Sequence, residues 1–373
     1  MRIGLAGAGR IGARHAVTLR DISGVESLVI ADVDPSRARH LADRLGVESA
    51  DTVNDLFAAG IDGLVVAAAT DAHAGLVKRG AAARLPVFCE KPIAPDVAGT
   101  IEVIERVRDA GVAVQVGFQR RFDAGHIAAR DAVTAGRLGW LHTVRSCTLD
   151  PAPPPREYLP TSGGLFRDCV IHDIDAVRYV TGRDIVEVVA VGTNRGDEIF
   201  RECDDVDTGT GVLTLDDGTI AVASATRYNG AGYDVRLEVL GSKDSIVAGL
   251  DERTPLAHTH GRPPTRNLGG LNDPAPPAHT HGRPPTGIVA GLDEPAPPAH
   301  THYRPSATPY SNFLDRFADA YDAELRAFVA LVAGHGQNRC PPGDALEACY
   351  AAEACERSRR LRRPVYIDEL KHP

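Results

Sequence analysis

The sequence is poor in the features that would place it in several large classes of protein. It has one Met, one Trp and only 5% aromatic residues. No apolar run approaches the ~18 residues that a membrane-spanning helix needs, so no membrane partner is expected. The opening stretch MRIGLAGAGRIG lacks a basic segment followed by a long apolar one, and it is not expected to be a signal peptide. Basic residues are outnumbered, 41 Lys and Arg against 50 Asp and Glu, for a formal charge of −9. With no cationic excess to neutralise phosphates, a nucleic-acid partner is excluded. The seven cysteines, Cys89, Cys147, Cys169, Cys203, Cys340, Cys349 and Cys355, are odd in number and never spaced as CxxC. That pattern fits neither a disulfide framework nor a structural zinc site. The expectation is reduced, buried thiols, a cytoplasmic location and no metal.

What is present suffices for a large folded protein. The chain has 373 residues, 43% hydrophobic and 24% charged, so two domains are expected. Residues 1–122 alternate short apolar runs, such as Ile3–Ala6, Leu28–Ala31, Gly63–Ala68, Val87–Cys89 and Val112–Gly117, with helical patterns at about 11–20, 35–45, 73–83 and 96–109. Strands that are apolar throughout and separated by helices predict a parallel sheet covered on both faces, a doubly wound α/β domain. Residues 123–373 read differently. After a helix near 125–136, a strand near 140–149, a proline-rich crossing (Pro151–Pro160) and a helix over 164–180, strand patterns follow at about 186–192, 209–215, 219–226, 233–240 and 245–249. Tight turns such as Asp216–Gly218 predict a mainly antiparallel open sheet, with helices on one face and a homodimer or homotetramer contact on the other. Further helices are expected at about 312–334 and 343–360.

Between them, at about 250–305, lies an insertion rich in Pro and His. Ala-His-Thr-His recurs at 257–260, 278–281 and 299–302, a constant spacing of 21 residues. With few apolar residues to bury, the repeat reads as a surface expansion. Its pairs His258/His260, His279/His281 and His300/His302 share a face in extended chain, but no Cys or carboxylate scaffold supports them as metal ligands.

Three motifs carry chemistry. Gly7-Ala8-Gly9-Arg10-Ile11-Gly12 follows the first strand and opens the first helix. In this context the glycines allow a tight turn, backbone approach to a pyrophosphate and close helix packing, which makes the first domain a Rossmann fold. Asp32 ends the second strand, where a carboxylate can accept from the adenosine ribose hydroxyls and repel a 2′-phosphate. NAD is therefore the expected cofactor, with Arg37 as the residue that could admit NADP. Glu90-Lys91-Pro92 stands at the carboxyl edge of the sheet, where ligands of such folds bind. In the third motif, Gly163 to Asp175, Asp168 and His172 are four residues apart on a predicted helix and share a face.

GAGRIG, the run Ala67–His73, Cys89–Pro92, Val116–Asp123 and GGLFRDCVIHDID together resemble the Gfo/Idh/MocA oxidoreductase family, most nearly its inositol dehydrogenase branch. The likeness spans nearly the whole chain except the repeat. It implies a catalytic set of Lys91, Asp168 and His172, with a cyclitol or sugar as the small-molecule partner. The imidazole titrates near neutrality and suits removal of a hydroxyl proton, while the ammonium can stabilise developing alkoxide charge. The resemblance further implies cofactor contacts from Gly7, Gly9, Arg10, Ile11, Gly12, Asp32, Ala69, Thr70, His73, Glu90 and Lys91. Substrate contacts are implied for Lys91, Arg121, Asp150, Tyr158, Asp168 and His172, with Phe118, Arg120, Arg121 and Asp123 near the same cleft or, alternatively, in interdomain salt bridges. Cys147-Thr148-Leu149-Asp150 departs from the His/Asn-containing stretch usual in inositol dehydrogenases and leaves the particular polyol open. Two other readings stand beside this one: a sugar or keto-sugar reductase of the same family, and a cofactor-sensing regulator without turnover.

Overall fold

A computed structural model describes residues 1–254 and 308–372. The three Ala-His-Thr-His copies and their paired histidines lie outside the described residues. The first sheet has six parallel strands, β1 (Arg2–Ala6), β2 (Ser27–Ala31), β3 (Glu48–Ser49), β4 (Gly63–Val66), β5 (Val87–Glu90) and β6 (Val114–Gly117), in the order β3-β2-β1-β4-β5-β6. The order reverses at β1 and β4, the crevice where doubly wound sheets bind ligands. Helices α1 (Arg10–Asp21), α2 (Pro35–Leu45), α3 (Val53–Ala58), α4 (Thr70–Ala82) and α5 (Val97–Ala110) connect the strands. Each helix starts where its sequence permits: Asp34 and Asp96 cap α2 and α5, and Gly46 and Gly111 end them in left-handed conformation. Ile3, Leu5, Val65 and Phe88 are fully buried, each contributing about 1.5–3 kcal/mol relative to exposure.

The second sheet contains β7 (Leu141–Leu149), β8 (Ile185–Thr193), β9 (Thr208–Leu215), β10 (Ile220–Thr226), β11 (Asp234–Gly241), β12 (Ser245–Ala248) and β13 (Val365–Tyr366). Its order is β12-β11-β7-β10-β9-β8-β13. All its pairings are antiparallel except β7 with β10, which run parallel. Helices α6 (Ala124–Thr134) and α7 (Ile171–Thr181) pack on one side, after which α8 (Ile199–Glu202), α9 (Phe313–Arg316), α10 (Ala318–Val332), α11 (Pro342–Leu361) and α12 (Asp368–Lys371) complete the described chain. On the opposite face Val186, Val189, Val191, Val212, Ile220 and Tyr366 are exposed.

Two helices differ from expectation. The helix expected over 164–180 begins with a π-helical turn, Phe166–Val170, before α7. Asp168 therefore stands in a wider turn than His172, which changes their relative direction from that of a regular helical pair. The helix expected over 312–334 breaks at Phe317 into α9 and α10. Helix α10 then packs Leu325, Phe328 and Val329 against Ile3, Leu5, Val65 and Phe88 of the first sheet. Late sequence thus closes an early core.

Candidate active site

The glycine loop is built around contacts that a side chain would break. Gly7 has φ of +112°, and a Cβ there would lie 2.4 Å from the Ala67 carbonyl. A Cβ on Gly12 would come within 1.9 Å of the Gly7 carbonyl oxygen. At Gly9 a Cβ would meet nothing within 4 Å, so that side of the loop is open. Helix α1 has neither a side-chain cap nor an acidic residue in its first turn. Its first amides are thus available to an anion, as a pyrophosphate requires. Asp32 is buried and accepts from the Ala8 amide at 2.7 Å and the Asp34 amide at 3.0 Å, with Arg37 Nη1 at 3.4 Å. These residues fit NAD: an open glycine cradle, uncapped amides, and a carboxylate at the end of β2. Arg10 is exposed with its guanidinium 4.9 Å from the Phe313 ring centre, and Ile11 is half-buried beside it.

At the next strand ends Ala69 is exposed and Thr70, half-buried, opens α4. His73, expected at the cofactor, lies between main-chain carbonyls. Its Nδ1 lies 2.7 Å from the Pro92 carbonyl and its Nε2 3.0 Å from the Ala68 carbonyl. Buried, it stands between the loops after β4 and β5, with a main-chain carbonyl beside each ring nitrogen. Glu90 Oε1 accepts from His15 Nε2 at 2.6 Å.

Lys91 extends from the end of β5 to the π-helical turn. Its Nζ donates to the Asp168 carbonyl at 2.8 Å and to Asp168 Oδ1 at 3.1 Å. Tyr158, on the proline-rich crossing, donates its hydroxyl to the same Oδ1 at 2.9 Å. Arg227, which follows β10, donates to Asp168 Oδ2 at 2.7 Å, to Asp150 Oδ2 at 2.9 Å and to Cys169 Sγ at 2.9 Å. Burial pushes the Asp168 carboxyl up, but the Lys91 and Arg227 cations outweigh it and hold the group below the usual carboxylate range. Asp150 shifts the other way, because burial outweighs its single cation, Arg227. Tyr158 is pushed upward by burial and by the Asp168 charge, so its hydroxyl stays a donor.

His172 follows one turn later, edge-on to the Phe118 ring with centres 5.7 Å apart. Desolvation lowers its pKa well below the ordinary value; Lys91 and Arg120 add to this and Asp168 opposes it. The ring is held neutral. Nδ1 is buried without a partner among the described residues, and Nε2 is the nitrogen not buried away. An ammonium and an ionised carboxylate are therefore in contact where the two sheets join, with a neutral imidazole one helical turn from the carboxylate. Such a set can take a proton from a hydroxyl and stabilise the resulting oxygen charge.

Arg121, expected at the substrate, is committed elsewhere. It forms a bidentate pair with Asp175, the shorter contact being 2.7 Å, and its Nη1 donates to Asp344 and to the Arg339 carbonyl. Its guanidinium nitrogens are all used in a buried tie, as the salt-bridge alternative expects. Arg120 likewise pairs with Asp173 at 2.8 Å, and Asp123 caps α6 and pairs with Arg316 at 2.9 Å. The sequence reading missed Arg227. Parallel pairing of β10 with β7 puts Thr226 opposite Leu149, which sets Arg227 beside Asp150. No motif spacing carries that information.

A glycine-loop parallel sheet, joined to an open sheet that presents an Asp–His pair to a strand-end lysine, defines a dinucleotide-dependent oxidoreductase. Comparison with known proteins agrees. Residues 1–118 match the family model described as an oxidoreductase family with an NAD-binding Rossmann fold, and residues 126–247 match the GFO/IDH/MocA C-terminal domain. The chain belongs to this family of NAD-dependent oxidoreductases. It is 36% identical over 361 residues to a myo-inositol dehydrogenase of Streptomyces leeuwenhoekii, covering 96% of this chain and 97% of that one. An inositol 2-dehydrogenase of Rhizobium meliloti is 32% identical over 372 residues, 98% of this chain and 99% of the other. Among solved structures, the scyllo-inositol dehydrogenase of Lactobacillus casei with bound NAD(H) and scyllo-inositol superposes with a TM-score of 0.79 at 26% identity, covering 99% of both chains.

Proposed function

We propose that this protein is an inositol 2-dehydrogenase, oxidising a ring hydroxyl of an inositol to the ketone with NAD as hydride acceptor. The observation that carries the reading is the approach of Lys91, from the nucleotide-binding sheet, to Asp168 in the turn that precedes His172. NAD bound along the glycine loop supplies the hydride-accepting carbon. His172, held neutral by desolvation and by Lys91, takes the hydroxyl proton through Nε2. Lys91 donates to the same oxygen and stabilises the negative charge that grows there as the proton leaves. Asp168 keeps Lys91 aimed; Arg227 and Tyr158 fix Asp168 in turn. Asp150 and Tyr158, on either side of the proline-rich crossing, contact further ring hydroxyls.

The similarity to inositol dehydrogenases over nearly full length supports the substrate class. The exposed apolar face of the second sheet supports assembly of identical copies through it, as a homodimer or homotetramer. Seven free cysteines, four of them buried, suit a reducing compartment such as the cytoplasm. The test is NADH formation, followed by absorbance, with a panel of inositols, pyranoses and other polyols. Turnover fastest on an inositol is expected. Preference for a pyranose would move the protein to another branch of the family, and no turnover on any polyol would contradict the dehydrogenase reading.

A further inference from the structure

Behind the Glu90-Lys91-Pro92 turn lies a second cluster of ionisable groups that the proposed chemistry does not use. His15 of α1, Glu90 at the end of β5 and Glu324 of α10 come together, one nitrogen or oxygen of each lying within 4.8 Å of the others. His15 and Glu324 have no exposed surface, and the Glu90 side chain is 13% exposed. Glu90 has a donor, His15 Nε2 at 2.6 Å. Neither Glu324 oxygen has a donor among the described residues, although both are buried. Its helix is held in place independently, by Gln115 Nε2 donating to the Glu324 main-chain carbonyl at 2.8 Å.

Two ionised carboxylates side by side in a site without a cation are untenable; one must take up a proton or the pair must bind a positive ion. The other groups facing Glu324 supply no charge to balance it: Tyr321 on its own helix and the Cys340 thiol are both pushed upward, mainly by burial. His15 is already spent on Glu90. We propose that Glu324 is a neutral carboxylic acid donating its hydrogen to Glu90, and that this single shared proton positions the turn bearing Lys91. The Glu90 carboxylate then has a donor on each side, His15 and Glu324. Burial and the neighbouring Glu90 charge both raise the Glu324 pKa well above its ordinary value, in keeping with that arrangement. Glu324 is a positioning residue, acting through Glu90. Loss of its proton at alkaline pH sets two anions against each other next to Lys91. This rests on the reading of Lys91 as a reacting group only for its effect on rate.

The sign of the stability effect separates a proton from a cation. A buried acid with a raised folded-state pKa stabilises fully below the unfolded value and loses that contribution as pH rises towards the folded one. Glu324→Gln keeps a neutral donor and cannot titrate. The Tm of Glu324→Gln should therefore gain on wild type as pH rises, by at least about 2 °C between about pH 6 and the pH 8–9 where buried glutamates titrate. Wild type at neutral pH should show the infrared carbonyl band of a protonated carboxyl, absent from Glu324→Gln. The alkaline limb of kcat/KM should move upward in the variant. A Tm below wild type at every pH, together with stoichiometric divalent metal in the purified enzyme, would overturn the proposal in favour of a cation site. So would an unmoved alkaline limb, or absence of the band, which wild type alone can show if the variant does not fold. Band and Tm need no turnover: an active enzyme without the band refutes only the shared proton, and an inactive one with it refutes only the dehydrogenase.

Discussion

Asp168 and Glu324 are both largely buried carboxyl groups, and they flank the same strand end, yet their chemistry is opposite. Asp168 accepts from Lys91, Arg227 and Tyr158 and is held ionised. Glu324 has no donor among the described residues and is pushed towards its neutral form. Burial is common to both, so burial alone decides nothing. The neighbours decide, because a cation at hydrogen-bond distance can outweigh desolvation and a second carboxylate adds to it. One group is built to hold a charge next to the reacting atoms, the other to hold a proton behind them.

The contrast can be broken from the cationic side. Lys91→Ala leaves Asp168 with one cation and removes the donor to the substrate oxygen; kcat should fall at least ~100-fold, as for loss of a donor that stabilises charge on the reacting oxygen. Steady-state rates at saturating NAD check this. Arg227→Met removes the other cation while leaving Lys91 in place. It should lower kcat about tenfold, the effect of one charge-assisted hydrogen bond of ~1.4 kcal/mol. Because it strands a buried charge, it should also cost about 3–5 kcal/mol of stability in urea unfolding. Asp32→Ala, in the cofactor loop, should shift the ratio of NADP to NAD efficiency towards NADP by about tenfold, again the effect of one lost charged contact.

The smallest expected effect is a pH shift. Oxidation needs His172 unprotonated, and its pKa is lowered by desolvation and by the Lys91 charge. The rate should therefore hold as pH falls through the ordinary histidine range near ~6.5 and decline only below it. A limb centred at that ordinary value would mean that the imidazole is solvated and unaffected by Lys91.

Much of this was legible in the sequence because it is local. The glycine loop, Asp32, the Glu90-Lys91 turn and the Asp168–His172 spacing each sit within a few residues of a strand or helix end that hydrophobic pattern marks. Residues assigned by long-range pairing were not legible. Arg227 reaches Asp168 only because β10 runs parallel to β7, a pairing that alternation of side chains cannot reveal. Glu324 reaches Glu90 only because α10 returns across the chain to cover the first sheet. For Arg121 the sequence left a ligand contact and a salt bridge both open, because a polar residue beside a cleft can face either way; only the fold shows every guanidinium nitrogen committed to a neighbouring side or main chain, and His73 buried between main-chain carbonyls. The π-helical turn at Phe166–Val170 had no composition signal either, since its residues suit an ordinary helix.

The account stands or falls on whether the imidazole that follows the Lys91–Asp168 contact handles the substrate proton. The most direct measurement is kcat of His172→Ala on the preferred polyol, made beside its NAD affinity. A fall of at least ~100-fold in kcat with NAD affinity within about threefold of wild type is predicted. Turnover near the wild-type rate would contradict it.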